Sequence, residues 1–452
     1  MVSMIDIHPV FAQDTPTYPI YIVQPGETLT QIAIKLNVSV DEIIQINNLA
    51  NPNLITEGTR LYIPGLEGIS GVLTAQIVGV GETLSSFVKI SHYDFDFVKK
   101  VNHLTSPSEV YAGSSLIVPI DEEKEIFNGS ALLQNSQSLL EVALLQQLNI
   151  WELIEANQLD STPVYLPGDL LFFQSAQTDQ VVSPISPLLE SVTVNKLPLK
   201  QGATIVLEVS SKIPVNLIGS LNNLPLNFFS SEEKSYYALQ GIHAMAEPGL
   251  VDFMLQGTFE NNQSFSFEQM LLLESSGYGK DPPINVKDET IDPTITIPED
   301  DFVKSLVNNV TTQKFWSGQF MDPVDPPLCY KSVFGSRRSY NNSEYIYFHT
   351  GLDYGVCAPS LNIYAAAPGK VVFAGPLTVR GNTIYIDHGQ GIFSGYFHQA
   401  EIKVKEGDIV QQGQLIGLIG ATGRVTGPHL HFEIWVNGVQ VNPVDWLENI
   451  YP

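Results

Sequence analysis

Near its C-terminal end the chain carries the stretch His429-Leu430-His431-Phe432-Glu433-Ile434-Trp435-Val436. Its aromatic and aliphatic composition predicts a β-strand. Because successive side chains of a strand point to opposite faces, His429 and His431 share one face while Leu430 points into a core. Their Cβ atoms are then about 7 Å apart, so one histidine can bind a metal ion while the other faces a substrate. Taken alone, the motif is explained more simply by two solvent-facing histidines on an edge strand.

A second histidine motif, His349-Thr350-Gly351-Leu352-Asp353, lies further upstream. On an extended strand His349 and Asp353 would be roughly 13 Å apart, too far to share a metal ion whose bonds are about 2 Å long. Both can bind one metal only if the segment curls, and Gly351 gives the backbone freedom to do so. His398 ends a further predicted strand and, by itself, is an ordinary histidine.

Together these motifs resemble the lysostaphin-type (LytM-like) zinc metallopeptidases, and the resemblance extends from about Phe315 to Leu447. Segments that agree with the family in order and spacing are residues 334–338, 349–355, 365–375, 381–389, 405–417, 427–433 and 441–443. The resemblance implies that His349, Asp353 and His431 bind one Zn²⁺ ion, with His398 and His429 as catalytic residues beside it. It further implies an antiparallel split-barrel domain that acts on peptidoglycan peptides. His388 matches a position outside the active site and is interpreted as a surface residue.

The N-terminal part of the chain contains a threefold repeat with a spacing of 55 residues. Each copy predicts a β-α-α-β unit, in which Thr28 with Gln31 and Ser39 with Glu42 form capping boxes of the two helices in copy one. The aligned anchors are Gly26-Glu27-Thr28-Leu29, Gly81-Glu82-Thr83-Leu84 and Ser136-Gln137-Ser138-Leu139, followed by Asn47-Asn48-Leu49, Asn102-His103-Leu104 and Asn157-Gln158-Leu159, and then by Gly58, Gly113 and Gly168.

The repeats resemble LysM domains, and the first copy matches most closely. The resemblance implies a shallow groove for N-acetylglucosamine-containing glycan near Gly26, Thr28 and Asn47. The third copy has lost the Gly-Glu-Thr motif, so the fold is expected there more than sugar binding. The alternative is that the copies serve only as spacers.

The middle of the chain alternates short strands with turn signals, which resembles an Ig-like β-sandwich. The prolines and acidic residues that follow predict a linker, with a short helix at 302–309. His243, a lone histidine in the sandwich, is interpreted as structural. The fold class is therefore multidomain and mainly β, with predicted LysM-like modules at 18–66, 73–121 and 129–175, a sandwich at 187–275, a linker at 276–312 and a peptidase domain at 313–452.

Composition restricts the partners and the location. The net charge of −26 argues against nucleic acid, because phosphate binding needs a basic surface. The chain contains no run of 18 or more apolar residues, so the sequence predicts no transmembrane segment. A monomer is expected. A wall substrate implies an extracellular or cell-envelope location, where Cys329 and Cys357 would pair; the alternative is two free thiols. Residues 10–14 resemble the end of a signal peptide without a preceding apolar core, so the leader is either missing or truncated in this sequence, or the similarity is accidental.

The leading hypothesis is a zinc-dependent peptidoglycan endopeptidase that LysM modules hold on wall glycan. The alternative is a non-catalytic, LysM-anchored regulator or activator of other wall hydrolases. Such regulators typically lack zinc ligands, whereas all five expected site residues are present in this chain.

Overall fold

The structure is a computed structural model that describes residues 18–66, 68–90, 93–120, 127–134, 137–157, 159, 169–175 and 183–452. The segment at 10–14 and the repeat anchors Ser136, Gln158 and Gly168 lie outside the described residues. The chain divides into two units, the first comprising Met1–Val78, Thr83–Val110 and Ser115–Phe127, the second comprising the remainder. Across the described ranges, no helix is long and apolar enough to cross a membrane.

The first unit contains two β-α-α-β modules, as the repeat predicts. Their strands form one four-stranded sheet in the order β2-β1-β3-β4, in which β1 and β3 run parallel. The elements are Ile20–Ile22 (β1), Leu29–Leu36 (α1), Val40–Asn47 (α2), Arg60–Tyr62 (β2), Val72–Ile77 (β3), Leu84–Ile90 (α3), Phe95–Val101 (α4) and Ser115–Ile120 (β4).

The two predicted capping boxes of the first module have different outcomes. Thr28 and Gln31 form the expected reciprocal pair, which satisfies free N–H groups at the start of α1. Ser39 occupies the N-cap of α2, but its hydroxyl makes no capping bond, so the second prediction is wrong. Asp41 and Glu42 lie in the first turn instead, where negative charge favours the positive end of the helix dipole.

The second unit begins with a smaller β-α-α-β module and continues into a two-sheet sandwich. The sheet orders are β11-β10-β14-β15-β8 and β12-β13-β9-β7. The module consists of Gly129–Leu132 (β5), Leu139–Leu145 (α5), Ile150–Ala156 (α6) and Leu170–Phe173 (β6); the sandwich strands are Leu189–Val194 (β7), Leu199–Lys200 (β8), Thr204–Ser211 (β9), Val215–Leu221 (β10), Leu224–Leu226 (β11), Phe228–Glu232 (β12), Ser235–Gly241 (β13), Gly249–Phe259 (β14) and Ser264–Glu274 (β15).

The segment predicted as a linker with a short helix at 302–309 contains a 15-residue helix, Pro293–Val307 (α7), which overlaps the predicted helix but begins earlier, so the linker prediction is wrong for residues 293–301. Asp292 caps the helix, and Pro293 occupies its first position, where a missing N–H costs no hydrogen bond. Val303 and Val307 are fully buried in a cluster with aromatic residues of the C-terminal domain. Pro293 therefore starts a packed helix, with Pro298 inside it, and residues 276–292 remain as the connection, which includes a short 3₁₀ turn at Asp288–Thr290.

The C-terminal domain is built on an antiparallel sheet in the order β16-β19-β27-β23-β22-β21-β25, with β28 beside β27 and a second sheet β20-β26-β24. Its elements are Tyr330–Ser332 (β16), Arg337–Arg338 (β17), Tyr347–Phe348 (β18), Leu352–Tyr354 (β19), Asn362–Tyr364 (β20), Gly369–Leu377 (β21), Gly381–Gly389 (β22), Ile392–Gln399 (β23), Glu401–Ile402 (β24), Ile409–Val410 (β25), Leu415–Leu418 (β26), Leu430–Val436 (β27), Val439–Val441 (β28) and Pro443–Glu448 (α8).

The sandwich and the C-terminal domain share one hydrophobic core. Val206, Tyr237 and Leu239 of the sandwich belong to the same buried cluster as Val441 and Trp446. The Trp446 indole N–H also donates to the Thr204 hydroxyl across 2.9 Å. The sandwich and the C-terminal domain are therefore packed together and are not independent domains.

Candidate active site

Three predicted metal ligands meet at the pairing of β19 with β27. Asp353 and His431 lie opposite each other in this antiparallel pair, and His349 lies just before β19. His349 Nε2 is 2.9 Å from Asp353 Oδ1 and 2.9 Å from His431 Nδ1, which is itself 2.8 Å from Asp353 Oδ1. In the part of the chain that the structure describes, this is the one group of three such residues that could hold a metal ion.

The segment from His349 to Asp353 curls, as sharing a metal requires, but Gly351 acts differently from the prediction. Its backbone is not in the left-handed region that favours glycine. Instead, a Cβ atom at this position would meet the Phe432 carbonyl oxygen and come within 2.9 Å of His431 Nε2. Gly351 is therefore required for close approach to β27.

Hydrogen bonds aim both histidine rings at the shared point. The His349 Nδ1–H donates to the Val333 carbonyl across 2.8 Å, which leaves Nε2 with a lone pair. The His431 Nε2–H faces Glu433 Oε1 at 3.2 Å, which turns Nδ1 toward His349 and Asp353. Glu433 is 1% exposed and also accepts from the indole N–H of Trp435 at 2.8 Å. A carboxylate behind a ligating histidine is a common support of metal sites, and the sequence alone does not single out Glu433 for this role.

The second carboxylate oxygen of Asp353, Oδ2, pairs with Arg338. Arg338 Nη2 is 3.2 Å from Asp353 Oδ2, and both side chains are largely buried. Although burial raises the pKa of Asp353, interactions with His349 and His431 hold it well below its usual value. The carboxylate is therefore ionised at neutral pH, with one oxygen turned toward the two histidines.

The two further predicted residues, His398 and His429, lie beside this group. The His398 Nδ1–H donates to the Thr422 carbonyl and the His429 Nδ1–H donates to the Gly427 carbonyl, each across 2.8 Å. Their ring centroids are 4.9 Å apart, and His429 Nε2 is 3.7 Å from Asp353 Oδ1. Both Nε2 atoms therefore carry lone pairs beside the candidate metal ligands.

Burial sets the protonation of most of these histidines. It lowers the pKa of His349 to about 4 and that of His398 well below the usual value, and it also lowers the pKa of His429. His431 differs, because hydrogen bonds to Asp353 and Glu433 outweigh burial and raise its pKa. Neutral imidazoles are the form that binds metals and accepts protons.

The donor set fits a divalent cation. Two imidazole nitrogens and a carboxylate oxygen converge to within 2.9 Å, and the outer hydrogen bonds place the histidine protons on the far side of each ring. A proton on His431 Nδ1 can bridge these atoms, in keeping with the raised pKa of that histidine, and a metal ion bound at the same point would take the place of this proton. Two histidines and one carboxylate are also ligands typical of zinc sites that keep a position open for water.

The group opens into a cavity of about 440 Å³, and part of the wall comes from outside the C-terminal domain. Thr296 and Lys304 of α7 line it, as do His243 and Met245 of the sandwich. The His243 ring accepts the Met245 N–H and packs edge-on against Phe348, so this histidine has structural partners and also faces the cavity.

His388 is not the surface residue that the sequence suggested. Its side chain is fully buried, its Nδ1–H donates to the Pro368 carbonyl across 2.7 Å, and its Nε2 is 2.8 Å from the Ser394 hydroxyl. The position at the end of a strand was correct, but the sheet is covered there by Phe320, whose ring packs edge-on against the imidazole.

The remaining predicted residues lie away from this centre. Cys329 and Cys357 form a disulfide bond. Gly26 and Thr28 are exposed in the first module. Asn47 has a structural role, since its amide donates to the carbonyls of Ile43 and Tyr62 and its oxygen accepts the Tyr62 N–H. Asn102 and Asn157 make the equivalent bonds in the other modules, so this asparagine joins a helix to a strand in all three.

Comparison with curated proteins found relatives of part of this chain. Over 120 residues the chain is 42% identical to peptidoglycan DD-endopeptidase ShyC of Vibrio cholerae, which covers 26% of this chain and 28% of that protein. Over 97 residues it is 43% identical to the DD-carboxypeptidase/endopeptidase Mpg of Neisseria meningitidis, covering 21% and 22%. The chain thus aligns with less than a third of the length of these curated relatives.

Among solved structures, the catalytic domain of the antimicrobial peptidase lysostaphin from Staphylococcus simulans aligns with 32% of this chain and 98% of its own length, at 28% identity and a TM-score of 0.22. Residues 21–64 and 77–119 match the LysM domain, and the third repeat lies outside these matches. Residues 347–443 match peptidase family M23. The chain therefore contains a peptidase domain of family M23, preceded by two LysM domains.

Proposed function

We propose that this protein is a zinc-dependent peptidoglycan endopeptidase of the extracellular space or cell envelope. The observation that carries the proposal is the convergence of His349, Asp353 and His431 beside two neutral histidines. The relatives named above as DD-endopeptidases support a bond between two D-residues of a peptide cross-link as the target. A regulator that has lost its metal site would not be expected to keep this donor set.

In this proposal His349, Asp353 and His431 hold the metal ion. When bound, zinc lowers the pKa of a water molecule toward 7 and polarises the scissile carbonyl. His398 and His429 present unprotonated Nε2 atoms on the substrate side, so either can accept the proton of the attacking water. Once protonated, the same ring can donate to the developing oxyanion or return the proton to the leaving amine.

The LysM domains would hold the enzyme on the glycan strands of its insoluble substrate. Each contact can be weak, because attachment raises the local concentration of the cutting domain. We propose Gly26 and Thr28, which are exposed on the first module, as part of the glycan groove. Asn47 is not part of this proposal, because its amide already joins α2 to β2.

Digestion of purified cross-linked peptidoglycan tests the proposal. The assay compares four samples: the wild-type protein, the protein treated with a chelator and then reloaded with zinc, and the His349→Ala and His429→Ala variants. The exposed Asp301→Asn on α7 is the control. We expect release of fragments by the wild type and the control, loss with chelator, recovery with zinc, and at least a hundredfold loss in both histidine variants.

Mass spectrometry of the released fragments identifies the bond that was cut. New amino groups and carboxyl groups at peptide cross-links support the endopeptidase, whereas glycan fragments would contradict it. Equal release by the wild type and His349→Ala would rule out the metal mechanism.

A further inference from the structure

Glu299 is a buried carboxylate on α7, outside the segment that matches the peptidase family. It is 8% exposed and contacts the turn between β21 and β22. Its two oxygens accept the backbone N–H groups of Val379, at 2.9 Å, and Arg380, at 3.1 Å. The Arg380 guanidinium donates to the same carboxylate across 2.9 Å. One side chain therefore fixes both the backbone and the side chain of this turn.

The same turn holds the two segments that carry the catalytic histidines. The Arg380 carbonyl accepts the backbone N–H of His398 at 3.0 Å. The Val379 carbonyl accepts the backbone N–H of Arg424, in the loop that leads to His429, at 2.8 Å. The peptide group between Val379 and Arg380 is thus bonded to Glu299 on one side and to this loop on the other.

His398 depends on such support more than most residues do. Its φ angle is +63°, a left-handed conformation that residues other than glycine rarely adopt. Strained positions of this kind persist when the surrounding structure holds them. Here the Arg380 carbonyl holds the backbone and the Thr422 carbonyl holds the ring, so that Nε2 faces the site.

We propose that Glu299 is a positioning residue for His398, acting through the turn at Val379 and Arg380; this proposal rests on the peptidase function proposed above. The helix ahead of the family-matched segment is then part of the working site. Glu299 touches neither the candidate metal ligands nor the reacting atoms, so its removal leaves metal binding intact and weakens proton transfer by His398.

The test uses the full-length, zinc-loaded chain with Glu299→Gln and, as a matched control on the same helix, Asp301→Asn. The glutamine amide has one acceptor oxygen, so its NH₂ group faces one of the two backbone N–H groups. We expect kcat on cross-linked peptidoglycan fragments to fall about tenfold, with KM and zinc content within twofold of wild type. In a His398→Ala background, Glu299→Gln should lower kcat no further. The control should match wild type.

A spectroscopic readout keeps this proposal separate from the proposed function. In protein labelled with ¹⁵N-histidine, the Nδ1–H signal of His398 is assigned by its loss in His398→Ala. Glu299→Gln should shift or broaden that signal, and Asp301→Asn should not, even if the wild type proves to cut no peptide.

If Glu299→Gln lowers the melting temperature enough to lose zinc, Glu299→Asp, which keeps the charge one methylene further away, replaces it. An unchanged signal, or the same fold loss of kcat with and without His398, would overturn the proposal.

Discussion

Replacing Glu433 with glutamine should weaken metal binding without removing any metal ligand. Glu433 accepts hydrogen bonds that include those from His431 at 3.2 Å, from Trp435 at 2.8 Å and from Gln440 at 3.0 Å. Although burial raises its pKa, His431 and Arg380 keep that pKa below the usual value, so the carboxylate is charged. A glutamine has one acceptor oxygen in place of two, so its NH₂ group must face at least one of these donors.

The magnitude follows from the bond that is lost. A hydrogen bond to a charged group contributes about 1.5–3 kcal/mol. Groups that support a ligating histidine typically change metal affinity by about 10–100-fold, which corresponds to roughly 1.4–2.8 kcal/mol. The two ranges agree, and we expect Glu433→Gln to raise the zinc Kd by about thirtyfold.

Competition with a fluorescent zinc chelator measures this Kd directly. The exposed Glu401→Gln provides a control with the same chemical change. The melting temperature of the metal-free protein must be recorded for both variants, because the buried network around Glu433 also stabilises the fold. A folded Glu433→Gln protein whose zinc Kd stays within threefold of wild type would refute the argument.

Three further outcomes can be measured on the same protein. Replacing Cys329 and its partner by serine should lower the free energy of unfolding by roughly 3 kcal/mol, since their bond closes a loop of 28 residues; an unchanged urea midpoint would contradict this. Gly351→Ala should weaken zinc binding at least tenfold, because the added methyl collides with the His431 ring, whereas Gly318→Ala has open space and should not. Asn47→Ala should destabilise the first LysM domain by about 1–3 kcal/mol in urea unfolding, and stability equal to wild type would show that its three bonds contribute little.

The features that the sequence predicts well are local ones. Alternation along β27 buries Leu430 and leaves the two flanking histidines within 4 Å of Asp353. The distance argument for a curled segment between His349 and Asp353 also depends only on neighbouring residues. The reason given for Gly351 was wrong because the collision involves β27, which lies 80 residues away in sequence and beside it in the sheet.

The contacts that the sequence could not predict join residues that are far apart along the chain. Glu299 looks like one of several acidic residues in a proline-containing segment until Arg380 and its backbone fold against it. Asn47 ends α2 near the glycan groove that the resemblance implies, but its amide bonds to a strand that begins at Arg60. Repetition of this asparagine in all three copies was the available signal, because copy three had already lost the motif expected to bind glycan.

The residues that position the candidate site also show how much of the chain the site needs. The family-matched segment, residues 347–443, contains all five predicted site residues but omits Glu299, the Val333 carbonyl that orients His349 and the Arg338 side chain that pairs with Asp353. A longer piece beginning at residue 313 restores Val333 and Arg338, but it still lacks α7 and the sandwich residues that pack around Trp446. Buried apolar residues that lose their partners expose surface to water and loosen the packing that remains. The sandwich and α7 are therefore better regarded as packed parts of the body that carries the candidate active site than as spacers ahead of it.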